Sequence, residues 1–252
     1  MKNSPMKILG IIPARFASVR FPGKPLADIA GKSMIHRVYE QCLKSKSLSR
    51  VIVATDSDQI FDHIKRFGGE AIMTSDSHPS GTDRCFEVLK KTKESFHFAI
   101  NIQGDEPFIQ PEQINLLASC LTKENVEIAT LVKKISDRET LFNPNIPKVI
   151  FNNLNEAIYF SRQTIPFIRE IEKEQWLNQF EFYKHIGIYA YRTDILEKIT
   201  SLKASSLEKA EKLEQLRWLE NGFKIKIAVT EFESLGIDTP EDLQKAKTLL
   251  GN

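Results

Sequence analysis

Arg15, Arg20 and Lys24 place three cations within ten residues of the segment IIPARFASVRFPGKPL, with Ser18 and Gly23 between them. Arginine forks phosphate oxygens, lysine brings a mobile point charge, and glycine lets backbone approach a ligand closely, so the set suits a triphosphate. Neither G-x-x-x-x-G-K-[ST] nor G-x-G-x-x-G is present, and a solvated basic loop would have the same composition. A second constellation, INIQGDEPFI, runs an apolar stretch into Gly104-Asp105-Glu106-Pro107. A carboxylate there is poorly solvated by its neighbours, and a hard divalent cation shared with substrate phosphates is a natural partner, so Asp105 is the leading ligand candidate. An acidic turn before Pro107 accounts for the glycine and proline but not for that placement.

Three other segments carry weaker chemistry. In SLGIDTPEDLQKA, Thr239 can cap a helix, Pro240 suits its first position and Asp242 its third, which explains most of the motif as a helix start. Asp238 precedes the cap, where a carboxylate either holds a metal or favours the helix dipole. SGTDRCFEVL opens a helix at Gly81, Thr82 and Asp83, whose free N–H groups and hydroxyls suit a base or ribose edge, as they suit any helix start. His185 and Tyr189 in HIGIYAY stand four residues apart and so share one face of a strand, as a satisfied core pair or as ligand contacts.

The elements that must hold these residues alternate in type. KILGIIPA, RVIVATD, EAIMT and FAINIQGDEP read as strands, and SMIHRVYEQCLKS, DQIFDHIKRFG and GTDRCFEVLKKT between them as helices, the pattern of βαβ units on a largely parallel sheet. A loop after the first strand of such a sheet lies at its carboxyl edge, where ligands bind. PEQINLLASCL predicts a further helix. Beyond it VEIATLVKKI, PKVIFNN, EAIYFSR and HIGIYAYR follow with few long helices between them, which predicts strands of mixed direction and a hairpin or flap. SLEKAEKLEQLRWLENG reads as one helix ended by Gly222, KIKIAVT as a strand and TPEDLQKAKTLL as a closing helix.

Composition limits the partners. With 35 basic and 33 acidic residues the net charge is +2, so no global field recruits nucleic acid or an anionic membrane and any phosphate site is local. Cys42, Cys85 and Cys120 lack metal-ligand spacing and read as buried small hydrophobes of a reducing compartment. The start lacks a signal-peptide core and no apolar run approaches the ~18–20 residues of a membrane span, so the expectation is a cytoplasmic protein. The 252 residues suit one large α/β domain, or a domain with a smaller extension.

Taken in order, IIPARFASVRFPGKPL, VIVATD, SGTDRC, NIQGDEP, FNPN, YFSRQTIP, KHIGIYAYR, LEKAEKLEQLRWLENG and GIDTPEDL closely resemble the CMP-Kdo synthetases, almost from Lys7 to Leu250. The resemblance implies an α/β, doubly wound, mostly parallel nucleotidyltransferase sheet in a single domain over 1–252, with about 126–222 supplying a flap and dimerisation region, and a homodimer. It implies transfer of CMP from CTP to 3-deoxy-D-manno-octulosonate (Kdo), for lipopolysaccharide biosynthesis, by Mg²⁺-dependent in-line attack of the sugar's anomeric hydroxyl on the α-phosphorus. By the motifs, Pro13, Ala14, Arg15, Ser18, Arg20, Lys24, Ser80, Gly81, Gln103 and Asp105 look like the CTP side. Asp105 and Asp238 look like the metal ligands; Lys24, Arg15, Asp105 and Asp238 look like the catalytic set. Gln103, Arg162, His185, Tyr189, Glu214 and Gln215 look like the sugar side. Asp83 and Phe16 depart from glutamate and tyrosine in many relatives, and IREIEKEQWLNQFEF is idiosyncratic. A CMP-sialate synthetase shares the phosphate loop but not YFSRQTIP, KHIGIYAYR and LEQLRWLE together; a silent nucleotide sensor has no need of both aspartates and Lys24.

Overall fold

The computed structural model describes residues 6–17, 21–122, 125–233 and 236–249. Its first half builds β1 (Ile8–Ala14), the short hairpin β2 (Asp28–Ile29) and β3 (Lys32–Ser33), α1 (Met34–Leu43), β4 (Arg50–Thr55), α2 (Asp58–Arg66), β5 (Ala71–Met73), α3 (Gly81–Lys91), β6 (Phe98–Asn101) and α4 (Pro111–Cys120). The second half adds β7 (Ile128–Lys134), α5 (Arg138–Phe142), β8 (Lys148–Phe151), β9 (Ala157–Ser161), α6 (Trp176–Gln179), β10 (Tyr183–Arg192), α7 (Thr193–Thr200), α8 (Ser206–Glu211), α9 (Gln215–Glu220), β11 (Ile225–Val229) and α10 (Pro240–Leu249).

The main sheet runs β5-β4-β1-β6-β10-β7-β11. The first four strands are mutually parallel, β10 is antiparallel to both β6 and β7, and β11 returns parallel to β7. The hairpin β8–β9 hangs from β10 through β8, which supplies the mixed directions expected after α4. Strands β1, β4 and β6 are buried almost throughout because both faces are covered. On one face Ile12, Val53 and Ile100 pack with Ile35, Val38, Ile60, Ile64 and Leu117 of α1, α2 and α4. On the other, Leu9, Ile11, Ile52 and Ala99 pack with Val88, Leu196, Leu216 and Trp218 of α3, α7 and α9. The side chains of Ser33, Ser57 and Ser80 accept from backbone N–H groups in the first turns of α1, α2 and α3 and so start those helices.

The stretch SLEKAEKLEQLRWLENG is two helices, not one. Lys212 stands at φ 53°, ψ 45°, a left-handed conformation that ends α8 and turns the chain before α9. The carbonyls of Glu211 and Lys212 left over at that break accept from Arg162 Nε (2.6 Å) and Nη2 (3.4 Å), so a side chain replaces the lost helical donors. Gly222 ends α9 at φ 81°, as expected. The idiosyncratic stretch before β10 folds as a 3₁₀ turn and α6, and Trp176 is buried against Ile135, Leu141 and Phe182. Cys42, Cys85 and Cys120 are buried outside any disulfide, and burial pushes the Cys42 and Cys85 thiols up, out of the reactive range. No described helix is long and apolar enough to cross a membrane.

From β1 the chain moves outward through β4 to β5, then crosses back so that β6 lies on the other side of β1. The loops after β1 and β6 therefore diverge from a crevice at the carboxyl edge, the switch point where open α/β sheets take ligands. Gly104 lets the start of the β6 loop lie against the end of β1, because a Cβ there would lie 2.6 Å from the Pro13 carbonyl oxygen. Gly104→Ala must push residue 104 and the end of β1 apart, at a cost of about 1–3 kcal/mol, or a fall in Tm of roughly 2–4 °C for each kcal/mol in a chain of this size. Urea and thermal melts of the variant beside the parent measure this; an unchanged midpoint removes the close-approach argument.

Candidate active site

Lys24 lies in a 3₁₀ turn, Lys24–Leu26, that follows Gly23 at φ 70°. The Gly23 N–H donates to Phe16 O (2.9 Å) and Leu26 N–H to Gly23 O (2.9 Å), which folds the loop back on itself and aims the lysine across the crevice. Its Nζ meets Asp105 Oδ2 at 2.7 Å and Asp238 Oδ1 at 3.1 Å. Asp105 follows β6 and Asp238 precedes α10, and the backbone joins them too, with Ile237 N–H donating to Asp105 O at 2.9 Å. Thr239 caps α10 as expected, accepting from Asp242 N–H, while Asp242 Oδ2 accepts from the N–H groups of Asp238 and Thr239. The cap therefore fixes the backbone of Asp238 and leaves its carboxylate directed at Lys24.

Pro13 and Ala14 end β1, and Arg15 follows them. One Arg15 Nη donates to the His78 carbonyl, and burial, with Arg84 nearby, holds its guanidinium pKa below the ordinary arginine value. His78 is held in turn by Glu87, which pairs with its ring and accepts from Ser75 N–H (2.8 Å) and Lys91 (2.8 Å). Arg15 lines a cavity of about 530 Å³ with Phe16, Asp56, Ser57, Gln59 and Asp76. Ser18 and Arg20 lie outside the described residues. Arg84, fully buried, pairs with Asp56 at 2.7 Å beneath this cavity. The sequence signal for Arg84 was a cation on the apolar stripe of α3, next to Cys85 and four residues before Val88.

Ser80 caps α3 and Gly81 begins it. Ser80 Oγ and Thr82 Oγ1 both approach Glu214, each at 3.0 Å, joining the start of α3 to the turn before α9. Burial raises the Glu214 carboxyl pKa, and the two hydroxyls partly offset this. Gln103 Nε2 donates to Gly187 O at 2.7 Å. Gly187 lies where β10 runs two residues long against β7: Ile186 faces Leu131 and Tyr189 faces Thr130. Because the excess is even, His185 and Tyr189 still share a face, their rings 5.1 Å apart. Thr130 Oγ1 lies 2.9 Å from His185 Nε2.

Among the described residues, buried polar atoms without a protein hydrogen-bond partner in this region include Asn101 Oδ1, Tyr189 Oη, Gln215 Nε2 and Trp218 Nε1. Asn101 faces Tyr189 across the β6–β10 pair, and Tyr189 packs edge-on against Trp218 with ring centroids 5.1 Å apart. Such atoms cost about 1–3 kcal/mol each unless something polar reaches them. Asn101 and Trp218 were not picked out from sequence, because an asparagine in a strand and a tryptophan in an apolar helix face carry no mark of being unpaired. Arg162, half-buried, donates through Nε, Nη1 and Nη2 to the carbonyls of Glu211, Pro144 and Lys212. Among the described residues no group of three or more His, Cys, Asp or Glu side chains converges as a metal cage.

His185 is half-buried among protein atoms that desolvate its ring, which lowers its pKa to about 3 from an ordinary 6.5. The ring is thus neutral in the fold and takes a proton readily only when unfolded, so its stabilising contribution is intact above pH ~6.5 and is lost as pH falls toward 3. His185→Gln keeps a hydrogen-bonding group beside Thr130 and does not titrate. Between pH 6.5 and 5 the parent should lose up to ~2 kcal/mol more stability than the variant, read from urea melts at the two pH values. Parallel pH dependences would show that His185 does not stay neutral in the fold.

The sequence pattern of a family described as cytidylyltransferase matches residues 9–227. A 3-deoxy-manno-octulosonate cytidylyltransferase of Cytophaga hutchinsonii is 60% identical over 242 residues, 96% of each chain. One of Parabacteroides distasonis is 57% identical over 98% of this chain and 99% of its own. Among solved structures, a CMP:2-keto-3-deoxy-manno-octonic acid synthetase complexed with CTP superposes with a TM-score of 0.89 at 41% identity, over 97% of this chain and 98% of that one.

Proposed function

The chain belongs to the cytidylyltransferase family, and we infer from its near full-length agreement with enzymes of that name that it joins CMP from CTP to Kdo and releases pyrophosphate. The observation that carries this reading to particular residues is the meeting of Lys24, Asp105 and Asp238 at the switch point. Two carboxylates aimed at one positive charge, with oxygen the only donor type, fit Mg²⁺, which takes one or two protein carboxylates and completes its shell with water and substrate phosphates. Asp105 and Asp238 would hold it. A bound magnesium ion would offset triphosphate charge and lower the pKa of the sugar hydroxyl.

The protein's own part is positioning and charge. The β1 loop, with Pro13, Ala14, Arg15, Ser18, Arg20 and Lys24, receives the triphosphate, and Lys24 stabilises charge growing at the α-phosphate. Ser80, Gly81 and Gln103 hold the nucleotide's other end. Gln103, His185, Tyr189, Glu214 and Gln215 face the sugar, where the unpaired Asn101, Tyr189, Gln215 and Trp218 atoms suit a polyhydroxylated ligand. Arg162, which closes the break between α8 and α9 just before Glu214, completes this sugar-side set. No covalent intermediate is required, because in-line attack of the anomeric hydroxyl expels pyrophosphate directly.

Pyrophosphate release across CTP, UTP and ATP with a panel of acidic sugars should select CTP with Kdo, and chelation should abolish it until Mg²⁺ is restored. Asp238→Asn should fold, bind CTP and lose ~10²–10³-fold in kcat, equivalent to about 3–4 kcal/mol of transition-state stabilisation. If Asp238 served only the helix dipole, the variant would lose ~0.3–1 kcal/mol of stability and keep its turnover. A near-parental kcat in a folded variant returns Asp238 to that role.

We further propose that the chain pairs with a second copy through the region 126–222. Leu154 and Ile158 of the β8–β9 hairpin, with Phe167 and Phe180, are exposed to 65%, 56%, 72% and 42%. These apolar side chains are the surface a second copy would cover. Sedimentation equilibrium should give twice the 28.8 kDa chain mass, and Ile158→Glu should lower it toward one chain. A parent that sediments as one chain ends the proposal.

A further inference from the structure

Lys24 does more in this structure than wait beside a phosphate site. Its ammonium sits between oxygens of Asp105 and Asp238, 2.7 and 3.1 Å away, and only 12% of the side chain is exposed. The residues it joins lie 81 and 214 positions along the chain, so nothing local sets their spacing. A divalent cation bound by the same carboxylates would meet this ammonium within contact distance, and two cations that close in a partly dry crevice repel strongly. Cation and lysine therefore exclude one another. The backbone of Lys24 is tied by Ala27 N–H to Lys24 O (3.0 Å) and by the folded-back loop at Gly23, whereas its four-carbon stem can swing without disturbing either bond.

We propose that Lys24 is a positioning residue for the divalent cation: in the nucleotide-free protein its ammonium fills the cation seat and holds Asp105 and Asp238 together, and it vacates that seat when a triphosphate offers it other oxygens. This rests on the reading of the two aspartates as metal ligands. Metal and triphosphate then favour one another's binding, since each draws on the same displacement of lysine, and the coupling is reciprocal.

The test is Mn²⁺ binding to nucleotide-free protein, followed by electron paramagnetic resonance. Lys24→Met and Lys24→Gln should bind Mn²⁺ about tenfold or more tightly than the parent, within the usual span of coupling between sites. Lys24→Arg, which keeps a cation in the seat, should stay weak. Adding Asp238→Asn to Lys24→Met should remove the gain. Arg15→Met, which takes a cation from the same loop but leaves the two aspartates' bonds to Lys24 intact, should gain little; an equal gain would assign the effect to the general field and overturn the proposal. Should Lys24→Met and Lys24→Gln bind at a site that Asp238→Asn abolishes, yet no more tightly than the parent, the lysine does not compete and the metal reading stands. Binding indifferent to Asp238→Asn in every variant would sink the metal reading and this proposal with it. A measurement on the parent is independent of variant folding: acylation of Lys24, followed by peptide mass spectrometry, should accelerate at saturating Mn²⁺, and an unchanged rate contradicts release.

Discussion

One ammonium reaches two distant parts of the chain that backbone and apolar contacts also bring together, with Ile237 packed against Ile29, Met34 and Phe108. Lys24 reaches Asp105 at the end of the β6 segment and Asp238 at the foot of α10, while the Ile237 N–H bond to the Asp105 carbonyl ties the same two segments through the backbone. The two carboxylates repel one another, and the ammonium between them offsets that repulsion. The rest of the architecture makes that meeting possible. The crossover that puts β6 beside β1 brings the lysine loop and Asp105 to one edge, and Gly104 allows the chain after β6 to touch the end of β1.

Around this centre the fold keeps its buried charges in place with hydrogen bonds rather than with surface ion pairs. Lys148 is fully buried and its ammonium donates to three carbonyls, of Asn143, Ile146 and Arg162, at 2.7–2.8 Å. Burial, with Arg162 close by, lowers its pKa. Arg84 is likewise enclosed and pairs with Asp56 below the cavity that Arg15 lines. Removing one partner from such pairs strands a charge, which is why they make firm supports even though each pair adds little net stability. Glu214 differs. It is buried beside hydroxyls and near unpaired polar atoms, an environment that holds its pKa up and leaves hydrogen-bonding capacity for a ligand.

Much of this could be read from the residues in order. Apolar runs and helical periodicity gave the βαβ half of the sheet, because burial on both faces writes itself into consecutive residues. Thr239-Pro240 and Gly222 marked helix ends, since caps depend on local conformation alone. The likeness of ordered motifs supplied the activity, and the comparisons with known proteins agree with it.

Other features depend on contacts between distant residues and left no local trace. The helical periodicity of SLEKAEKLEQLRWLENG hid a break at Lys212, because what satisfies that break is Arg162, fifty residues earlier. His185 and Tyr189 do share a face, but only because the extra length of β10 is two residues rather than one. For Asp238 the motif by itself favoured a helix-start carboxylate over a ligand, since the cap explains most of its residues. Its meeting with Lys24 was decided by the tertiary structure, because charge acts through space and the chain had first to bring residues 24 and 238 to 3.1 Å.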